Sequence, residues 1–218
     1  DGTRAGTKLI KEIHTGRRSA ICAPPGPDCP TFPAGSDPRS FVTIGKATFF
    51  IADHPRYGME LWRTDGTRKG TRLVKDVQPG SSAALGSSEG SLVEFGGELY
   101  FVADDGRHGF ELWRTDGTVD GTYMVKDIEP GDNASFPSEL TASGATLFFR
   151  ARARDDGGDE LYKSDGTEAG ICLLEQSRGD PEIDLGVTDA CMPQVRAQER
   201  QTSHDIAPVA VPLEQASD

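Results

Sequence analysis

Apolar residues at the three- and four-residue spacing of an amphipathic helix are missing from every window of this 218-residue chain, so the sequence offers no stable helix. Long hydrophobic runs are missing too. Nothing approaches the ~20 apolar residues of a membrane-spanning helix, and no signal-peptide pattern is present, so the chain reads as a mature fragment. Positive charge is in short supply: 23 basic residues against 35 acidic ones leave a net charge of −12, a poor surface for nucleic acid or anionic lipid. The four histidines, His14, His54, His108 and His204, are scattered, with no pair at metal-ligating spacing and no His-Glu-x-x-His. Catalysis has no obvious home in such a chain.

What the sequence does hold is repetition. Glu-Leu-Trp-Arg-Thr-Asp-Gly-Thr occurs at residues 60–67 and again at 111–118, and Glu-Leu-Tyr-Lys-Ser-Asp-Gly-Thr stands at 160–167. Asp-Gly-Thr recurs at Asp1, Asp65, Asp116 and Asp165, so the last two steps are 51 and 49 residues. A period near 50 is that of one propeller blade. Within each unit a strand follows Asp-Gly-Thr, as in Thr71-Arg-Leu-Val-Lys and Thr122-Tyr-Met-Val-Lys, with Thr7-Lys-Leu-Ile-Lys as a third version. A hairpin follows, marked by Gly96-Gly97 between two β-rich runs, and the Glu-Leu-Trp run supplies a fourth strand. The expected fold is therefore all-β: four-stranded antiparallel blades of a β-propeller-like array, three complete and one partial, in an incomplete or open ring. Counted from one Asp-Gly-Thr to the next, the units are residues 1–64, 65–115 and 116–164, with a partial unit at 165–174 whose opening strand is 171–174. Phe49, Phe50, Tyr100, Phe101, Phe148 and Phe149 fall at one place in their units, and Trp62, Trp113 and Tyr162 at another. Large rings at matching positions are expected to fill the core between blades.

Two segments break the pattern. Residues 17–39 are an insertion in the first unit, rich in Pro and Gly, with Cys22 and Cys29. Residues 175–218 carry nine acidic and three basic residues and no aromatics, so this tail is expected to be largely disordered. Four cysteines in two close pairs point to an oxidising compartment and to disulfides, Cys22 with Cys29 and Cys172 with Cys191. A metal site at Cys22 and Cys29 lacks the Cys-x-x-Cys spacing and any clustered His.

The Glu-Leu-Trp-x-x-Asp-Gly-Thr signature resembles the ELWxxDGT repeat family of large bacterial proteins, mostly secreted or attached to the cell surface. The resemblance covers about residues 1–174 and implies a propeller-like, non-catalytic module. It implies a structural role for Trp62, Trp113 and Tyr162, and for the turns at Asp65-Gly66, Asp116-Gly117 and Asp165-Gly166. A second likeness overlaps the first. Ala103-x-Asp105-x-x-His108-Gly109-x-x-x-Trp113 is similar to the docking motif of quinoprotein-like propellers, with His108 in place of Thr, and Ala52, Gly58 and Trp62 repeat its frame. That motif locks blades together through Trp stacking and carries no quinone chemistry by itself.

Candidate functional groups follow from the same alignment. If the strand after Asp-Gly-Thr lines a central channel, Glu12, Asp76 and Asp127 share one level beside Lys11, Lys75 and Lys126. Such a ring could hold calcium, a hard ion suited to carboxylate oxygens. The competing expectation is Lys–carboxylate pairing between blades. The Asp-Gly-Thr loops are explained by turn chemistry, since Asp accepts backbone hydrogen bonds and Gly reverses the chain. Asp104-Asp105-Gly106 and Asp155-Asp156-Gly157 read as solvated turns, because neither continues into the alternating oxygens of a calcium loop. Gly86-Ser87-Ser88-Glu89-Gly90 matches a nucleophile-elbow pattern without the strand-to-helix setting it requires. Arg178-Gly179-Asp180 is a decayed repeat loop, and Asn133-Ala134-Ser135 is a glycosylation sequon.

The functional expectation is a secreted or cell-surface module, not an enzyme. It would bind protein or glycan, or space other domains, with specificity in residues 17–39 and 81–90; further repeats are its other expected partners. No cofactor is expected beyond the candidate calcium. The alternative is a propeller enzyme, or a calcium-dependent binding domain, with its site over the channel.

Overall fold

Every element in the computed structural model, which describes residues 3–19, 31–85, 92–152 and 158–174, is a β-strand. A short ribbon of β1 (Arg17–Ser19) and β2 (Thr31–Pro33) comes first. Three four-stranded antiparallel sheets follow, each strand pairing with the next along the chain. The first sheet is β3 (Arg39–Ile44), β4 (Ala47–His54), β5 (Gly58–Thr64) and β6 (Arg72–Leu73). The second is β7 (Val93–Phe95), β8 (Glu98–Asp104), β9 (Phe110–Thr115) and β10 (Tyr123–Lys126). The third is β11 (Ser138–Ser143), β12 (Thr146–Arg152), β13 (Asp159–Ser164) and β14 (Cys172–Leu173). The expected hairpin turns form at glycines with left-handed backbone, Gly45 at φ 58°, Gly96 at 63° and Gly144 at 57°.

Register repeats from sheet to sheet. Phe50 lies opposite Trp62, Phe101 opposite Trp113 and Phe149 opposite Tyr162. The two-residue period of a strand then sorts neighbouring side chains to opposite faces, and both faces of the inner sheet are apolar. Phe49, Ile51 and Leu61 from one face of the first sheet share a core with Leu99, Phe101, Ala103 and Trp113 of the second. From the second sheet's other face, Tyr100 and Leu112 join Leu147, Phe149, Ala151 and Tyr162 of the third. Ile13, in the N-terminal segment, covers Phe50, Ala52 and Trp62. The sheets therefore stack face to face in chain order. All the repeated aromatics are buried except Phe148, which is half-buried on the outer face of the third sheet.

Sheet and sequence unit are out of phase. The strand after each Asp-Gly-Thr, read from sequence as the opening strand of a new unit, pairs backward: Trp62 with Leu73, Trp113 with Met124 and Tyr162 with Leu173. Residues 171–174 thus complete the third sheet instead of beginning a fourth. The cause is local, because a tight turn returns the chain antiparallel beside the strand it has just left. Hydroxyl pairs close the base of that turn, Thr64 Oγ1 to Thr71 Oγ1 at 2.7 Å and Thr115 Oγ1 to Thr122 Oγ1 at 2.6 Å. The corresponding N-terminal segment, 7–14, lies outside any strand, with Leu9 81% and Ile10 45% exposed.

Cys172 is buried in β14, whereas Cys22, Cys29 and Cys191 lie outside the described residues, and with them both expected disulfide pairings. The 175–218 tail, Gly86-Ser87-Ser88-Glu89-Gly90, Asp155-Asp156-Gly157 and Arg178-Gly179-Asp180 lie outside them as well.

Candidate functional site: the seam between consecutive sheets

The charged residues of the repeat are the raw material for any site, and most of them are committed to backbone. Asp65 Oδ1 accepts from Thr67 N at 2.9 Å and Thr67 Oγ1 at 2.7 Å. Asp116 repeats this with Thr118 at 2.8 and 2.7 Å, and Asp165 with Thr167 at 2.9 and 2.7 Å. These bonds hold all three carboxyls below the ordinary aspartate range. A second glycine completes the loop: a Cβ on Gly70, Gly121 or Gly170 would strike the carboxyl group of Asp65, Asp116 or Asp165. Sequence reasoning found the first glycine of each loop and missed this one, although Asp-Gly-Thr-x-x-Gly is uninterrupted at all three places.

Sequence reasoning also missed the Glu that opens the signature. Glu60 and Glu111 are fully buried and Glu160 nearly so. Glu60 Oε1 accepts from the backbone N–H of Val77 and Gln78 at 3.1 and 3.2 Å. Glu111 accepts from Ile128 N, Glu129 N and Ser135 N, and from Ser135 Oγ at 2.6 Å. Burial pushes Glu60 up to about 8 and Glu111 up to about 7. The two sites also differ in their donors, and the nearby Asp76 charge adds to the upward push on Glu60. Ala84 occupies the place of Ser135 in the first sheet, and Glu60 Oε2 is left buried with no hydrogen-bond partner.

At the residues expected to line a channel, two of the lysines bond to backbone. Lys11 Nζ donates to Thr71 O and Lys75 Nζ to Thr122 O, both at 2.6 Å, so each lysine ties its segment to the next one's backbone and not to a carboxylate. Asp76 and Asp127 are half-buried at matching positions, and each leaves Oδ1 buried without a hydrogen bond; Glu12 is exposed. Among the described residues no group of three or more His, Cys, Asp or Glu side chains converges as metal ligands do. The Asp104-Asp105-Gly106 turn spends its carboxylates locally: Asp104 Oδ1 accepts from Gly106 N, and Asp105 accepts from Arg107 N, His108 N and His108 Nδ1 at 2.9–3.0 Å. That Asp105–His108 bond raises the histidine's affinity for its proton.

Along the seam itself an arginine fastens one sheet to the loop of the next. Arg63 Nη1 donates to Gly117 O and Arg114 Nη1 to Gly166 O, each at 3.1 Å. A ring sits beside each glycine, Phe49 at Gly117 and Tyr100 at Gly166, and Tyr100 Oη also donates to Gly166 O. Between the first and second sheets the seam opens into a cavity of about 410 Å³ whose lining includes Lys46, Phe49, Arg63, Asp65 and Asp116. Lys46 belongs to this seam alone, since Gly97 and Ala145 stand in its place in the later hairpins. Two cations and two carboxylates around one opening suit a polar ligand offering both acceptors and donors.

Comparison with protein-family models, with curated proteins and with solved structures finds no match for this chain.

Proposed function

We propose that residues 1–174 are a non-enzymatic, propeller-like binding module of the kind implied by the ELWxxDGT resemblance, secreted or carried on a bacterial cell surface. Its target is a protein or glycan, held at the seam between the first two sheets. One observation carries this reading: Lys46 breaks the repeat at a cavity whose lining includes Arg63, Asp65 and Asp116. The repeated charges, Asp65 and Asp116 among them, recur with the sheets and serve their turns, whereas a site of particular specificity is expected to depart from the repeat, as it does at Lys46. A glycan and protein array probed with the recombinant chain and with Lys46→Glu tests it. Selective retention that the substitution abolishes supports the module; turnover of a retained ligand, or retention indifferent to Lys46, sinks it.

A second reading has its own support. The unpartnered Oδ1 atoms of Asp76 and Asp127 are what a cation held together with Glu12 would satisfy. Calcium titration followed by thermal melting decides it, because an unchanged melting temperature at millimolar calcium removes the ring.

A further inference from the structure

The contact between sheets has a donor side and an acceptor side, and among the described residues one of each is left without its counterpart. On the donor side, strand three contributes Arg63 or Arg114 and Leu61 or Leu112, while strand two contributes Phe49 or Tyr100. On the acceptor side, an Asp-Gly-Thr loop offers the carbonyl of Gly117 or Gly166. The third sheet carries Lys163, Leu161 and Phe148 at the same positions, and among the described residues no loop lies against them. Leu161 is 41% exposed where Leu61 is 1% and Leu112 0%, and Leu174 is 42% exposed where Val74 is 3% and Val125 5%.

The opposite end carries an acceptor without a donor. The Asp65-Gly66-Thr67 loop is built like the other two, with Gly66 at φ 85° against 87° for Gly117 and 94° for Gly166. A Cβ on Gly66 would meet nothing within 4 Å, whereas one on Gly117 would meet Arg63 and Phe49, and one on Gly166 would meet Tyr100. Leu9 and Ile10, exposed at this same end, stand where Leu73 and Val74 stand in the next repeat.

We propose that a second copy of this chain docks head to tail, the outer face of its third sheet taking the Asp65-Gly66-Thr67 loop of its neighbour. Lys163 donates to the Gly66 carbonyl as Arg63 and Arg114 donate within the chain, and Leu161 and Phe148 close over the loop. At the centre of this face Arg150 is paired with both Glu139 and Asp159, one cation between two carboxylates, so the cluster keeps one net negative charge and Lys163 is the cation left to meet the loop. Two unlike surfaces on one molecule make a heterologous contact, which propagates from copy to copy. Asp65 belongs both to this loop and to the lining of the first-seam cavity, so the association is measured without added ligand.

Sedimentation velocity of the full chain over a thousandfold concentration range reads the association directly. The wild type is expected to grow with concentration. Leu161→Asp, at an exposed position, and Gly66→Asn, which keeps a left-handed turn residue and meets nothing within the chain, are checked for an unchanged melting temperature and are each expected to weaken growth at least tenfold. Mixed one to one, the two variants are expected to form a dimer and stop, since each retains one intact end. Lys163→Arg is expected to tighten association about threefold. A wild type that stays monomeric, a single variant that associates like it, or a mixture that fails to pair overturns the proposal.

Discussion

At the scale of the residue, the buried glutamates have the clearest consequence. Glu60 and Glu111 keep a proton in the folded chain at pH values where an unfolded glutamate, near 4.5, has lost it. A folded-state pKa raised in this way makes stability decline as pH climbs from about 4.5 toward 7 for Glu111 and 8 for Glu60. The slope is at most about a tenfold change in the folding equilibrium per pH unit for each group. The depressed Asp65, Asp116 and Asp165 act with opposite sign, their contribution lost as pH falls below the ordinary aspartate range. Glu60→Gln is expected to flatten the decline between pH 5 and 8 in urea titrations. Ala84→Ser should give Glu60 the hydroxyl that Ser135 gives Glu111, lowering its titration midpoint in carboxyl NMR and adding about 1 kcal/mol at pH 9. A midpoint that does not move shows that the missing hydroxyl is not the cause. The Glu was legible in principle, because alternation puts residues 60 and 62 on the same face and the Trp on that face was already read as core. Its polarity hid it.

At the scale of the element, turn and strand are one unit. Gly121→Ala would expel the Asp116 carboxyl from its bonds to Thr118, and a loss of about 1–3 kcal/mol is expected in chemical denaturation. Arg63→Ala removes the bond to the Gly117 carbonyl and some packing over Phe49, with an expected cost of about 1–2 kcal/mol. Arg63→Lys should recover part of that loss. The strands, their number per repeat and the glycine turns were readable from period-two runs and from Gly96-Gly97. The pairing direction of the strand after Asp-Gly-Thr was not, because repetition alone does not say whether a repeated strand joins the sheet before it or the sheet after it. The tight Asp-Gly-Thr turn decides it in all three sheets, and Thr64 with Thr71 and Thr115 with Thr122 add hydroxyl contacts in the first two, whereas Ile171 takes the threonine's place in the third.

At the scale of the whole described molecule, each sheet leans on its neighbours only, so coupling should be strongest between adjacent sheets. Trp113→Ala, in the core shared by the first and second sheets, is expected to cost about 3–5 kcal/mol. It should accelerate hydrogen exchange in β5 and β8 well before β12, and uniform acceleration would show that the stack unfolds as one body. That the chain is all-β with ring-filled contacts between sheets was legible, since rings recur at fixed places. The seam cavity was not, because it requires knowing which loop meets which strand, and Lys46 has no signature of its own.

The offset between repeat and sheet bears on how such a chain changes length. A crossover between two Asp-Gly-Thr coding stretches cuts a sheet between its third and fourth strands, then restores it with the fourth strand of another repeat. Because those strands are interchangeable in register, gain or loss of a repeat leaves each rejoined sheet with four strands. Genetic recombination at the most alike stretches of the gene is therefore the kind this architecture absorbs most readily.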